Sequence, residues 1–155
     1  MNELFPPPPV QYGMRFTVGE HSAGHVRRIV RAYLRHWGMP DLTDPVGLAV
    51  TELLANVLRH VPDRNCELLV LRQPYGVRVE VSDSSADLPT VSVPDGDSEG
   101  GRGLVLLEAM ADEWGVEPTG GGKTVWFECA AAKEDERHEG RPGMVPKSQQ
   151  PLDTR

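Results

Sequence analysis

The segment Leu48 to His60, LAVTELLANVLRH, carries two residues that an amphipathic helix does not need and that could do chemistry. Glu52 and Asn56 stand four positions apart, ~40° from each other on a helical wheel and off the apolar arc. A carboxylate can accept the proton of an attacking hydroxyl. A carboxamide oxygen can ligate a hard cation such as Mg²⁺, which takes oxygen donors. Taken alone, the pair is more often what a solvated helix face carries.

Further candidates lie downstream. Asp83 ends the run VRVEVSD. A strand-end carboxylate is acceptor-only and suits the exocyclic amine of adenine, or simply serves a turn. Gly100-Gly101-Arg102-Gly103 opens a helix. Glycines there let backbone amides approach a phosphate, the helix N-terminus favours an anion, and Arg102 adds a charge-assisted donor. GGGKT at 120–124 invites a P-loop reading, but Glu117 stands where that motif needs glycine, and a strand rather than a helix follows. Lys123 and Thr124 are therefore read as opening a core strand, with Thr124 in reach of a base near Asp83. His21 and His25 are four apart but lack a third ligand at recognisable spacing. No Ser-His-Asp or Cys-His arrangement stands out.

These residues need elements to position them. Val46, Val50, Leu53, Leu54, Val57, Leu58 and Val61 share one arc, so the Glu52 helix runs from an Asp44 N-cap and Pro45 at the first turn to about His60. Before it, Met14–Val18 reads as a short strand, and Val26, Ile29, Val30, Tyr33, Leu34 and Trp37 as a helix stopped by Gly38 and Pro40. Arg27, Arg28, Arg31 and Arg35 decorate that helix, as a solvated face or a partner surface. CELLVLRQ, the turn Pro74-Tyr75-Gly76 and VRVEVSD form an antiparallel hairpin. A loop spans Ser84–Gly103. Leu104–Trp114 reads as a helix, Gly120–Gly122 as a turn and Lys123–Ala130 as the last strand. The expected class is α+β, a two-layer sandwich with helices on one face of a mixed, mainly antiparallel sheet.

At 155 residues the chain suits one domain, placed at 14–130 between a Pro-rich arm (1–13, with Pro6–Pro9) and a polar tail (131–155). A formal net charge of −7 argues against general affinity for nucleic acid. No apolar run approaches a membrane span, and MNELFPPPPV lacks the basic and apolar regions of a signal peptide, so a cytoplasmic setting with Cys66 and Cys129 reduced is expected.

Together the motifs resemble the Bergerat-fold ATPase and kinase superfamily, and within it the small anti-sigma-factor serine/threonine kinases. TELLANVLRH resembles the family's N box, VEVSDSSADLP its first glycine box, GGRGLVLLEAMADEWG its second, and GGKTVWFE its final strand motif. The resemblance implies Glu52 as general base, Asn56 as Mg²⁺ ligand, Asp83 as adenine acceptor, Gly101, Arg102 and Gly103 as phosphate lid, Thr124 near the base, and His60 as the basic residue closing the N box. It implies ATP and Mg²⁺ as cofactors, and a sigma factor and an anti-sigma-factor antagonist as partners. The first helix and its sheet edge leave room for a homodimer. One departure is plain: Asp83 is followed by Ser84, Ser85, Ala86 and Asp87, where the fullest family box is Asp-x-Gly-x-Gly. Two alternatives stand beside the kinase: a nucleotide-binding module that regulates by partner binding alone, and acyl-CoA-dependent transfer on the glycine-arginine loop.

Overall fold

A computed structural model describes residues 10–87 and 102–132. The elements are β1 (Gln11–Thr17), α1 (Ser22–His36), a 3-10 turn (Pro40–Leu42), α2 (Thr43–His60), β2 (Asn65–Gln73), β3 (Gly76–Asp83), α3 (Arg102–Met110), β4 (Glu113–Thr119) and β5 (Gly122–Ala130). The strands form one sheet in the order β1-β2-β3-β5-β4, and every pairing is antiparallel. The sandwich is as expected; the mixed component of the sheet is not found among the described residues.

Alternation along the strands divides the sheet into two faces. Leu68 and Val70 of β2, Val77, Val79 and Val81 of β3, and Val125, Phe127 and Cys129 of β5 are buried and face the helices. They meet Val26, Val30 and Leu34 of α1, Val46, Val50, Leu53, Leu54 and Val57 of α2, and Leu107 of α3 in one core. On the opposite face Arg78 bonds Glu80 (2.8 Å) and Glu128 (2.9 Å) and stacks over Trp126, 4.2 Å from the ring centroid. The indole lies across Gly115, where an added Cβ would meet Trp126 Nε1 at 2.8 Å.

The helix boundaries follow local chemistry. Gly38, with φ +80°, ends α1: its N–H donates to Arg35 O and the Met39 N–H to Leu34 O, satisfying carbonyls left over by the last turn. Asp44 is not the cap of α2. The helix begins two residues earlier than expected, at Thr43, whose Oγ1 donates to Pro40 O at 2.8 Å, and Asp44 instead pairs with Arg31 across the helix interface. Cys66 and Cys129 are free thiols and buried.

Three expectations are corrected. β1 begins at Gln11, inside the expected arm, because β2 is nine residues long and offers Leu71 and Val70 as partners to Gln11 and Tyr12. The third helix does not reach Trp114. It ends at Met110, and Glu113–Thr119 forms a strand, β4, joined to β5 through the tight turn at Gly120-Gly121. Trp114 and Val116 keep two-residue alternation there, directed at the core beside Phe127 and Val125. The start of α3 is Arg102 rather than Leu104. Residues 1–9 of the arm, 133–155 of the tail and most of the long loop lie outside the described residues.

Candidate functional site

Glu52 and Asn56 sit side by side on α2, each half-buried, with Leu53, Leu54 and Val57 beside them turned into the core. Asn56 Oδ1 accepts from Arg59 Nη2 at 3.1 Å. Its carbonyl oxygen is thereby oriented one turn from the Glu52 carboxylate. His60 is the last residue of α2 and is exposed.

The end of α2 and the end of β3 are tied together. Ser84 Oγ, just beyond β3, donates to Asp63 Oδ2 at 2.8 Å in the turn that follows α2. The Asn65 N–H, and then the Ser84 hydroxyl, hold the Asp63 carboxyl below the usual carboxylate range. Asp83 therefore emerges near the C-terminal end of α2.

Asp83 is directly opposite Lys123 of β5, and both point to the helix-covered face, in step with Val81 and Val125. Lys123 Nζ donates to Asp83 Oδ1 at 3.0 Å and lies 3.4 Å from the Ser85 carbonyl, while the Ser85 N–H donates to the same Oδ1 at 2.9 Å. Among the described residues nothing donates to Asp83 Oδ2. The loop after Asp83, which has no glycine through Asp87, is thus held by side chains: Asp83 and Lys123 grip Ser85, and Ser85 Oγ accepts from the Asp87 N–H at 3.2 Å.

Thr124 is not brought to Asp83. It pairs with Ser82, their hydroxyl oxygens 2.7 Å apart, on the face that carries Glu80 and Trp126. The residue that meets Asp83 is Lys123. Sequence reading missed this partnership, because only the β3·β5 register sets the two positions opposite each other. Arg102 and Gly103 form the start of α3, which packs on α2 through Leu107. Their side chains, and Gly101 altogether, lie outside what is described.

The oxygen donors of Asn56 and Glu52 are of the kind a hard cation such as Mg²⁺ takes. Asn56 and Glu52 offer oxygens only, and the described residues contain no group of three or more His, Cys, Asp or Glu able to hold an ion by themselves. No described helix is long and apolar enough to cross a membrane.

A family model for the histidine kinase-like ATPase domain matches residues 17–129. Among solved structures, the fold is similar to that of the crystal structure of the RsbU and RsbW domains of Rv1364c from Mycobacterium tuberculosis. The TM-score is 0.61 at 18% sequence identity, over 80% of this chain and 32% of that one. This chain thus spans about a third of that protein, and at such identity the likeness is one of fold. A search of curated proteins returned no match.

Proposed function

The chain belongs to the histidine kinase-like ATPase domain family, and from that premise we propose that it is an anti-sigma regulatory kinase. It binds ATP with Mg²⁺, transfers the γ-phosphate to a serine or threonine of an anti-sigma-factor antagonist, and separately holds a sigma factor. The observation that carries this reading is the polar pair Glu52 and Asn56 on α2, a helix whose C-terminal end is tied through Asp63 to Ser84, next to Asp83 at the end of the central strand.

Phosphoryl transfer asks a protein mainly to position its reactants and to neutralise charge. In this reading Glu52 accepts the proton of the substrate hydroxyl. Asn56 Oδ1 would hold Mg²⁺, which supplies charge neutralisation on the phosphates. The glycines and Arg102 at the head of α3 cover the phosphates, where the helix N-terminus favours negative charge. Asp83 takes the base amine through Oδ2, the oxygen left open by Lys123 and Ser85. Phosphorylation of the antagonist adds negative charge and loosens its grip on the kinase.

A second reading is favoured by one observation, the buried Lys123–Asp83 pair. A base amine must share a carboxylate that already has two donors, and the following loop has no glycine to bring its backbone to a nucleotide. On that reading the domain acts by partner binding, with weak or no catalysis. Incubation of the chain and a candidate antagonist with radiolabelled ATP separates the two. Transfer from wild type that collapses in Glu52→Gln supports the kinase; transfer untouched by that change removes Glu52 as the base. Retained sigma binding with no transfer from wild type establishes the module.

A further inference from the structure

The entrance of β5 holds a buried cation to which the phosphoryl transfer assigns no task. Lys123 stands opposite Asp83 on the helix side of the sheet. Its ammonium group has three N–H bonds and no acceptor capacity. Two of them are engaged, by Asp83 Oδ1 at 3.0 Å and the Ser85 carbonyl at 3.4 Å. The third has no acceptor among the described residues. Asp83 is in the converse position. Its Oδ1 accepts from Lys123 and from the Ser85 N–H, while its Oδ2 accepts from no described residue. That oxygen is nevertheless open to solvent. Among the described residues, the buried side-chain polar atoms without a partner are Arg31 Nε and Trp126 Nε1, and Asp83 Oδ2 is not one of them. The pair thus offers one acceptor and one donor side by side. Thr124, turned to the far face beside Ser82, adds neither.

We infer that Asp83 and Lys123 read the base together, Lys123 donating to a base acceptor beside the donor that Asp83 takes, so that the site admits 6-oxopurine triphosphates as well as ATP. The inference rests on the reading of Asp83 as base acceptor given above. Adenine meets the pair with its amine on Asp83 Oδ2 and a ring nitrogen beside that amine on Lys123. Hypoxanthine and guanine also carry a donor next to an acceptor, the N1–H and the O6 carbonyl. They meet the same pair with the ring turned over and shifted by one atom along its edge. Without Lys123, that carbonyl would lie beside a carboxylate with no donor to satisfy it, and an unmet buried acceptor is costly. A carboxylate whose second oxygen alone is open selects for a base donor. The ammonium beside it adds a place for a carbonyl or a ring nitrogen, and this widens the choice of base.

Isothermal titration of the full chain in Mg²⁺ tests this with ATP, inosine triphosphate, 1-deaza-ATP, 7-deaza-ATP and inorganic triphosphate. Inosine triphosphate should bind within about tenfold of ATP. One of the two deaza analogues, which lack a ring nitrogen beside the amine, should bind at least about tenfold more weakly than ATP. In Lys123→Met, inosine triphosphate should lose at least about tenfold more affinity than ATP, and the deaza analogue should match ATP. Should Lys123→Met fail to fold, the wild type still decides. The chain has three lysines, Lys123, Lys133 and Lys147, so with ¹⁵N-lysine the Lys123 ammonium resonance is assigned by Lys133→Arg and Lys147→Arg. It should shift with ATP and with inosine triphosphate, and stay in place with inorganic triphosphate. Inosine triphosphate that binds no tighter than inorganic triphosphate while ATP does, deaza analogues that both equal ATP, or an ammonium resonance unmoved by bound ATP would each overturn the inference. ATP that itself binds no tighter than inorganic triphosphate removes Asp83 as a base reader, and the inference falls with that reading.

Discussion

Lys123 Nζ lies 3.0 Å from Asp83 Oδ1 between neighbouring strands, with the two side chains 10% and 4% exposed. The pair joins the exit of the central strand to the entrance of β5. It also fixes the loop that follows, because both residues hold Ser85.

Removing the lysine should therefore be costly. Lys123→Met leaves a buried carboxylate without its counter-charge, a change worth about 3–5 kcal/mol. Urea unfolding followed by far-UV circular dichroism should show that loss. Lys123→Met/Asp83→Leu, which removes both charges, should recover much of it. A single variant within about 0.5 kcal/mol of wild type would mean that the pair is solvated rather than buried.

The same pair bears on the nucleotide. If Asp83 Oδ2 takes the base amine, Asp83→Asn should weaken ATP binding and leave inorganic triphosphate binding unchanged in isothermal titration. Asn56→Ala should weaken both, in Mg²⁺ only. Equal loss of ATP and triphosphate affinity in Asp83→Asn would move Asp83 from base recognition to loop support.

Glycines near the site should differ sharply in tolerance. A Cβ on Gly122 would meet Asp83 O at 1.8 Å, whereas Gly120 has nothing within 4 Å. Gly122→Ala has to push the backbone of β3 away and should cost at least about 3 kcal/mol, the upper range for overpacking. Gly120→Ala should be close to neutral. Thermal unfolding of the two variants side by side checks the contrast.

The thiols set an alkaline limit. Burial, and then the charge of Asp83 for Cys66 and of Asp112 for Cys129, pushes both up from 9.0 to about 12. Above pH 9 the unfolded chain gives up these protons while the folded chain keeps them. Stability should fall between about pH 9 and 12, by about 1.4 kcal/mol per pH unit for each thiol. Cys129→Ala should remove about half of that slope in denaturant titrations at pH 8 to 10.5. A thiol reagent at pH 8 should modify neither cysteine until the protein is unfolded.

What could be read from the sequence was what a single element announces. The apolar arc of α2 was legible because Val46, Val50, Leu53, Leu54 and Val57 repeat at helical spacing, and all five are buried. The β2–β3 hairpin was legible from the turn Pro74-Tyr75-Gly76 and from the alternation of Val77, Val79 and Val81 after it. β4 was not, because Leu104, Leu107, Met110, Ala111 and Trp114 keep helical spacing past the true end of α3. The contrary signal was present in Trp114 and Val116 alternating ahead of Gly120-Gly121, with Pro118 weakening it. For the candidate site, residue types on α2 were visible, but partnerships across strands were not. Neither the Lys123–Asp83 pair nor the turning of Thr124 to the far face has a local signature, since both depend on which strand lies beside β3.

The outer strand β4 also bears on what high concentration does to this protein. Strand-by-strand polymerisation needs every added copy to present a fresh template. Here β4 closes one flank of the sheet with Pro118 and the carboxylates of Glu113 and Glu117. A stack that uses both flanks of every copy is therefore interrupted at β4.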